Sequence, residues 1–310
     1  MYNPLVSIVI PLYNGSNYVA QAIDCALAQT YQNIEIIVVN DGSTDEGAGR
    51  RVCLSYGDKI RYFDKENGGC ASALNYGIRQ AKGEFISWLS HDDLYDVDKV
   101  EVQVGYYTKY SLDPRNTIVS NSGRLIDENG KPIYRPNSEK TAMLDSVQMF
   151  RQLLFYEGFN GCGLLIPKSL FEKGLYFRED MRFVLDWNLW MKFAVHGAQA
   201  YMDKRILVSN RLHSQQVTVK QSDRHKPELA EGCKEIFELL QHYENPELMR
   251  QLYYYCDGEN QPVAKDIAAY MKENGISVKP LRKLKYTLKI KGTRAVKGIY
   301  HALRRAARGR

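Results

Sequence analysis

Six acidic or amide side chains stand at the ends of successive apolar runs in the first third of the chain. They are Asn14, Asn40, Asp41, Asn67, Asp92 and Asp93. Carboxylate and amide oxygens at one sheet edge suit a hard divalent cation, which would neutralise a bound diphosphate. Asp and Asn are also common in turns, so each residue alone has a purely structural interpretation. Their recurrence at four strand ends favours a shared site.

The segment after the first apolar run argues against two common nucleotide-binding loops. Tyr13-Asn14-Gly15-Ser16-Asn17 lacks the three glycines that let backbone approach a dinucleotide pyrophosphate. It also lacks the Gly-x-x-x-x-Gly-Lys phosphate cradle. Dehydrogenase and P-loop functions are therefore disfavoured.

The elements that must position these residues alternate between strand and helix. Strands are predicted over 5–12, 34–40, 60–64 and 85–89, and helices from Ser16 and over 72–80. Apolar residues at spacings of three and four, starting at Val19, predict that the first helix packs on a sheet. The alternation predicts an α/β fold whose strand ends line a binding crevice.

The second half of the chain is less regular. Helices are predicted over 97–110 and 145–156, and strands over 117–126 and 163–167. From residue 222 onward the pattern is helical in character. We therefore expect a domain boundary near 220, with a helical appendage over 221–310.

Several motifs in a fixed order identify a family. They are Val6 to Asn14, Val38 to Asp45, Asn67 to Ile78 and Gly83 to Asp93. Together they resemble glycosyltransferase family 2, inverting enzymes of the GT-A fold, of the kind acting in bacterial surface polysaccharide assembly. The resemblance is strong over 5–93 and looser over 160–216. It implies a Rossmann-like, mostly parallel central sheet with flanking helices, divided into a nucleotide-binding half (1–95) and an acceptor-binding half (96–220).

The resemblance also implies a set of residues that bind the nucleotide-sugar donor. They are Pro11, Tyr13, Asn14, Asp41, Asn67, Asn75 and Arg211. The Asp41 carboxylate would accept a hydrogen bond from the base. Asn40 stands where the family usually has Asp, which removes one charge near the donor.

A metal site is implied by the same resemblance. Asp92 aligns with the last Asp of the family's Asp-x-Asp motif, whose first Asp is Ser90 here. His213, in Arg211-Leu212-His213, resembles a family residue that reaches the metal or the diphosphate. We therefore expect Mn²⁺ or Mg²⁺ at Asp92 and His213, with affinity lowered by the loss of one carboxylate. Without the family, a lone His is more often a surface or packed residue.

The acceptor side is implied by Arg182 to Trp190. Inversion needs a base opposite the leaving diphosphate, and Asp186 is our candidate, with Asp180 as second choice. Asp186 could also be a helix N-cap residue, a role compatible with catalysis. We expect Trp187 to form a platform for the acceptor sugar and Trp190 to lie in the core.

Charge is distributed unevenly along the chain. The whole protein carries +6, whereas residues 281–310 alone contribute +11 and the remainder −5. As a helix, 281–308 would place an apolar stripe on one side and most of the basic residues around the other, which is typical of a helix lying on an anionic membrane. The stripe is formed by Leu281, Leu284, Leu288, Ala295, Ile299, Leu303 and Ala306. Docking on the acidic body and nucleic-acid binding are the alternatives, and we expect no nucleic acid.

No Lys or Arg precedes Arg50, and no apolar run is long enough to span a membrane, so we expect a cytoplasmic protein at the inner face of the plasma membrane.

The family resemblance implies an inverting, metal-dependent hexosyltransferase. It would move a sugar from a nucleotide-diphosphate donor, which we expect to be UDP-linked, to a saccharide acceptor such as a lipid-linked or cell-surface glycan intermediate. Two alternatives stay open: a non-catalytic module of the same fold that binds nucleotide sugar or membrane, and a sugar nucleotidyltransferase. The sequence indicates neither the sugar nor the oligomeric state.

Overall fold

The computed structural model describes residues 2–134, 141–156, 159–213 and 225–292. The chain forms two compact units, one within Met1–Met149 and Phe159–Glu228, the other within Phe150–Gly158 and Leu229–Arg310. The second unit thus takes residues 150–158 from the stretch that the sequence assigned to the acceptor-binding half. It holds most of the predicted appendage.

The first unit is built on a mixed sheet. Its described strands are β1 (Val6–Leu12), β2 (Ile34–Asp41), β3 (Arg61–Lys65), β4 (Phe85–Trp88), β5 (Leu94–Tyr95), β6 (Thr117–Ile126), β7 (Pro132–Tyr134), β8 (Ala142–Leu144), β9 (Leu164–Pro167) and β10 (Gln199–Arg211). The order is β3-β2-β1-β4-β9-β6-β10-β5, with β7 beside β6 and β8 beside β10. The strands β3, β2, β1 and β4 are parallel, and the antiparallel β9 joins them to the parallel pair β6 and β10.

Helices flank this sheet and make up the described part of the second unit. They are α1 (Val19–Leu27), α2 (Ala48–Leu54), α3 (Cys70–Gln80), α4 (Lys99–Lys109), α5 (Ser146–Phe155), α6 (Lys168–Glu172), α7 (Leu185–Val195), α8 (His225–Leu240), α9 (Pro246–Gly258), α10 (Ala264–Glu273) and α11, residues 280–292. Short 3₁₀ turns lie at Gly57–Lys59 and Gly161–Gly163.

The apolar run at the start of the chain forms the centre of the sheet. Every residue of β1 is buried, because β2 and β4 cover its two edges and helices cover its faces. Close packing by α3 depends on Gly77, where a Cβ would lie 2.4 Å from Val9 Cγ1. The predicted central strand is confirmed, and the carboxyl ends of the four parallel strands lie at one edge.

The longest strand, β10, was not predicted. Its sequence carries the charged run Asp203-Lys204-Arg205 in the middle, where the register with β6 shifts between Asp203 and Ile206. This irregularity breaks the alternation by which a strand is recognised. Antiparallel pairing of β5 with Val208 and Ser209 brings the turn before β5 close to the end of β10.

The second unit has its own small core of helical side chains. Cys233, Leu252, Tyr254, Ile267 and Met271 are all buried. None of the helices that the structure describes combines the length and the apolar character needed to cross a bilayer.

Candidate active site

Asp92 and His213 lie together although 121 positions separate them in sequence. Asp92 is in the turn after β4, and His213 follows the end of β10. The His213 Nε2 atom is 2.9 Å from Asp92 Oδ2, and both side chains are largely buried. The pairing of β5 with β10 explains this proximity, because it fixes the strand end against the turn.

The 2.9 Å between these two atoms is a hydrogen-bond distance, and two ligands of one cation are separated by a similar distance. In an octahedral shell with ligands at ~2.1 Å, adjacent ligand atoms are about 3 Å apart. Among residues whose placement is described, no group of three His, Cys, Asp or Glu side chains gathers to hold a metal. Asp92 and His213 therefore fit part of a shell that the substrate and water would have to complete.

Ser90, at the position of the missing carboxylate, is turned towards Cys162. Its amide N–H donates to Cys162 Sγ at 3.4 Å, and its hydroxyl lies at the same distance from that sulfur. The hydroxyl therefore has a partner within the fold. The thiol of Cys162 in turn donates to Asp93 Oδ2 at 3.2 Å.

Asp93 and Arg211 fix the turn that carries Asp92. The Asp93 carboxylate accepts from the Arg211 amide at 2.9 Å and from Asn210 Nδ2 at 2.8 Å. Burial raises the pKa of Asp93 to about 7, and the charge of Asp92 adds to this rise. This carboxyl therefore ties β10 to the turn.

The Arg211 side chain is hydrogen-bonded within the protein, and its predicted contact with the donor stays a prediction. It is 1% exposed. Its guanidinium donates to the carbonyl oxygens of Asp92 and Glu128 and to Gln21 Oε1, and it lies over the Tyr18 ring. These partners hold the Asp92 carbonyl in place and leave the guanidinium enclosed by protein.

Asp41 organises the loop between β3 and α3. Its Oδ1 accepts from Lys65 Nζ at 2.7 Å and from the Gly68 amide at 2.9 Å, and its Oδ2 accepts from the Gly69 amide at 2.6 Å. Asn67 donates to the Asp41 carbonyl at 2.8 Å. The buried carboxylate therefore shapes the loop, and its contact with a base stays a prediction.

Pro11, Tyr13 and Asn14 lie at the end of β1 beside this loop. Asn14 adopts a φ of +49° and accepts from the Thr44 amide at 2.7 Å, which ties the loop after β1 to the loop after β2. The Pro11 carbonyl is 3.3 Å from His91 Nδ1. Tyr13 is 46% exposed, so its ring is open to a ligand.

Asn75 is hydrogen-bonded within the protein, and its predicted role in binding the donor stays a prediction. It is buried in α3, and its amide donates to the Phe177 carbonyl and to Glu179 Oε1, both at 2.9 Å. Its Oδ1 accepts from the Phe177 amide at 3.0 Å. Asn75 therefore clamps the segment that leads towards α7.

Asp186 lies in the first turn of α7. The helix begins at Leu185 with Val184 as its N-cap residue, so the N-cap interpretation of Asp186 is wrong. Its Oδ1 accepts from the Trp187 amide at 2.7 Å. Burial raises the pKa of Asp186, against the lowering effect of this hydrogen bond. A carboxylate with a raised pKa is a stronger base.

Asp180, the second candidate base, has a different setting. Its side chain is 66% exposed and pairs with Arg178, whose hydrogen bond lowers the pKa of Asp180. Burial and pKa together favour Asp186 as the base.

Trp187 is half-buried, whereas Trp190 is 1% exposed and contacts Phe177 and Phe193. The predicted core position of Trp190 is therefore confirmed.

The Cys70 thiol, at the start of α3, lies near several of the predicted site residues. Enclosure by protein raises the pKa of Cys70 to about 12, and the carboxylates of Asp41, Asp92 and Asp186 add to the rise. The side chain is nevertheless exposed to solvent. The three carboxylates therefore lie around the start of α3, in the region predicted to form the binding cleft.

Arg182 borders this cleft and was not singled out from the sequence. Its guanidinium donates to the Gly68 carbonyl at 3.1 Å and lies 1.2 Å from the position of a Cβ on Gly69, so Gly69 leaves the room it needs. Its backbone is fixed because Glu228 Oε2 accepts from the amides of Arg182 and Phe183 at 2.9 Å and 2.7 Å. No sequence motif links these positions.

The sequence model for glycosyl transferase family 2 matches residues 7–163. This protein is a family 2 glycosyltransferase. It is 43% identical to an uncharacterised glycosyltransferase of Rickettsia typhi over 274 residues, which cover 88% of this chain and 82% of that one. It is also 50% identical to an uncharacterised glycosyltransferase of Rickettsia bellii, over 71% of this chain and 31% of the relative. The matched segment is thus about a third of the second relative.

Solved structures resemble this glycosyltransferase in fold. Residues 1–349 of S. aureus TarS, in complex with UDP-GlcNAc, superpose with a TM-score of 0.66 at 16% identity, over 81% of this chain and 71% of that one. The mannosyltransferase PcManGT of Pyrobaculum calidifontis, in complex with GDP-Man and Mn²⁺, gives 0.56 at 19% identity, over 97% and 88%. The predicted GT-A fold with C-terminal helices is confirmed.

Proposed function

We propose that this glycosyltransferase moves a sugar, with inversion, from a nucleotide-diphosphate donor to a saccharide acceptor. The proposal is supported by the contact of His213 with Asp92 and by the neighbourhood of Asp92 and Asp186 to Cys70 at the start of α3. A group for the diphosphate and a base for the acceptor are the two requirements of an inverting transfer. We favour a UDP-linked donor, since one structural relative was solved with UDP-GlcNAc.

Asp186 is the proposed general base. It would accept the proton of the acceptor hydroxyl as that oxygen forms its bond to the anomeric carbon and the diphosphate leaves. Its raised pKa suits this task. Trp187, next in the chain, is the proposed stacking surface for the acceptor sugar.

Asp92 and His213 are the proposed ligands of a divalent cation. When bound, that ion would stabilise the charge that develops on the leaving diphosphate. An imidazole ligand suits transition metals better than Mg²⁺, which prefers oxygen, so we favour Mn²⁺. On the nucleoside side, Pro11, Tyr13, Asn14, Asp41 and Asn67 are the proposed donor contacts.

The proposed setting is the inner face of the plasma membrane, with a lipid-linked glycan intermediate as acceptor. The basic sequence of 281–308 supports this setting, because anionic headgroups attract clustered Lys and Arg. Its part beyond residue 292 lies outside the described residues.

A panel of nucleotide sugars tests the proposal. The full chain with Mn²⁺ is expected to release the nucleoside diphosphate from one donor, and Asp92→Ala should lower that rate about a hundredfold. Asp58→Ala, an exposed acid in the first 3₁₀ turn, is the matched control and should leave the rate unchanged. Nucleotide binding without release from any donor would support the non-catalytic alternative instead. Turnover that survives chelation would remove the metal role of Asp92 and His213.

A further inference from the structure

Helix α11 is fixed to the second unit by one of its faces. Tyr286 and Ile290, one turn apart, are 7% and 4% exposed. The Tyr286 ring stacks on Phe155 with centroids 4.2 Å apart. Ile290 approaches α9 closely, since its Cδ1 lies 2.5 Å from the position of a Cβ on Gly258. This inward face is a packed helix interface.

Ion pairs fix the rotation of the helix about its axis. Lys283 Nζ is 2.9 Å from Asp257 Oδ2, and Arg282 Nη1 is 3.0 Å from Glu247 Oε1. The Lys289 ammonium lies over the Tyr156 ring, 3.5 Å from its centroid. The helix therefore presents a defined outward face.

That outward face carries three leucines, Leu281, Leu284 and Leu288, here called the leucine face. They are 85%, 57% and 60% exposed. At about 100° per residue they lie within about 60° of one another and opposite Tyr286 and Ile290. The basic residues Lys285 and Lys291, both exposed, flank the leucine face on its two sides.

We propose that the leucine face inserts into an anionic lipid surface while the opposite face stays packed on the second unit. This proposal adds a defined lipid contact to the proposed membrane setting. It rests on the proposed function only in placing the acceptor at the membrane. Exposed leucines gain free energy on leaving water, and flanking lysines attract acidic headgroups. The sequence after α11 adds six Lys or Arg and no acid, which extends the charge complementarity. A second copy would bring like charges together, and nucleic acid would have no use for the leucines.

The test compares variants of the full chain in co-sedimentation with vesicles. Vesicles of phosphatidylcholine with phosphatidylglycerol should bind the wild type, and vesicles of phosphatidylcholine alone should bind it much less. Replacing the three leucines by Ser is expected to lower binding at least tenfold. Leu54→Ser, which removes a 51% exposed leucine of α2, is the matched control and should bind as wild type. Replacing Lys285 and Lys291 by Gln should weaken binding and reduce its dependence on salt.

Three results would overturn the assignment. The first is undiminished binding by the triple Ser variant, which would leave the basic tail as the whole membrane contact. The second is equal binding to neutral vesicles. The third is a dimer that dissociates in the triple variant without lipid, which would make a second copy the occupant. Hydrolysis of the soluble donor should be the same in all variants as in the wild type. If the wild type hydrolyses no donor, that result contradicts the transferase proposal and not the role of the leucine face.

Discussion

At the scale of single residues, Asp186 and Asp180 show how the setting separates two similar carboxylates. Asp186 is held in the first turn of α7, and burial raises its pKa. Asp180 is exposed beside Arg178, and its pKa is lowered. Only the first combination suits proton abstraction near neutral pH.

This difference predicts the pH dependence of the reaction. Transfer needs an ionised Asp186, so kcat/KM should fall as the pH drops below the pKa of that group. Because the pKa is raised, the fall should begin at a higher pH than for an exposed aspartate. A pH profile of nucleotide release measures it, and a profile flat down to the range of ordinary carboxyl groups would contradict the assignment.

The sequence predicted the members of the site better than their contacts. Asp92 and His213 are close together, as the motifs implied, because the pairing of β5 with β10 brings together the two segments that carry them. Arg211 and Asn75, which were expected to bind the donor, are buried and hydrogen-bonded within the protein, and their contact with the donor stays a prediction. Whether a polar side chain contacts a bound substrate or a backbone carbonyl of the protein depends on tertiary packing. A sequence motif does not specify that packing.

At the scale of elements, the start of α3 depends on a glycine. Gly69 has a φ of +90°, and the Arg182 guanidinium lies where its Cβ would be. Gly69→Ala should therefore lower the free energy of unfolding by about 1–2 kcal/mol and displace Arg182 from the cleft.

Gly105→Ala is the matched control for this substitution. Gly105 is exposed within α4, and a Cβ there meets nothing within 4 Å. That variant should be more stable than wild type by up to about 1 kcal/mol. Urea denaturation of both variants measures the difference, and equal stabilities would contradict the role of Gly69.

Element types were largely predictable, but strand β10 and the short strands β5, β7 and β8 were not. The buried run in β1 and the helical spacing in α1 are strong local patterns, and both elements occur where predicted. Strand β10 was missed because its charged centre coincides with a register shift against β6. A bulge is specified by the partner strand as much as by the strand itself.

At the scale of the whole molecule, truncations before and after α11 distinguish the packed helix from the sequence that follows it. A chain ending at residue 292 keeps Tyr286 and Ile290, so it should retain its thermal midpoint and donor hydrolysis. A chain ending at 279 removes both side chains from their packed positions against Phe155 and Gly258. It should melt at a lower temperature, by several degrees. Calorimetry tests this, and identical midpoints for the two truncations would contradict the packed face.

The uneven charge seen in the sequence is also clarified at this scale. The basic segment was expected either to dock on the body or to bind a membrane. Its described part packs through Tyr286 and Ile290 and exposes the leucine face on the other side, so these two alternatives are compatible. Local periodicity located the stripe, but only the fold distinguishes the packed face from the open one.

The most direct test of the central claim is the activity of Asp186→Asn. Sugar transfer should fall at least a thousandfold while the affinity for UDP changes less than about twofold, because the base acts only on the acceptor hydroxyl. The variant should be at least as stable as wild type at neutral pH, since Asn removes a carboxylate whose raised pKa costs stability as the pH rises. Transfer at the wild-type rate by this variant would contradict the account, and the same loss in Asp180→Asn alone would move the base to Asp180.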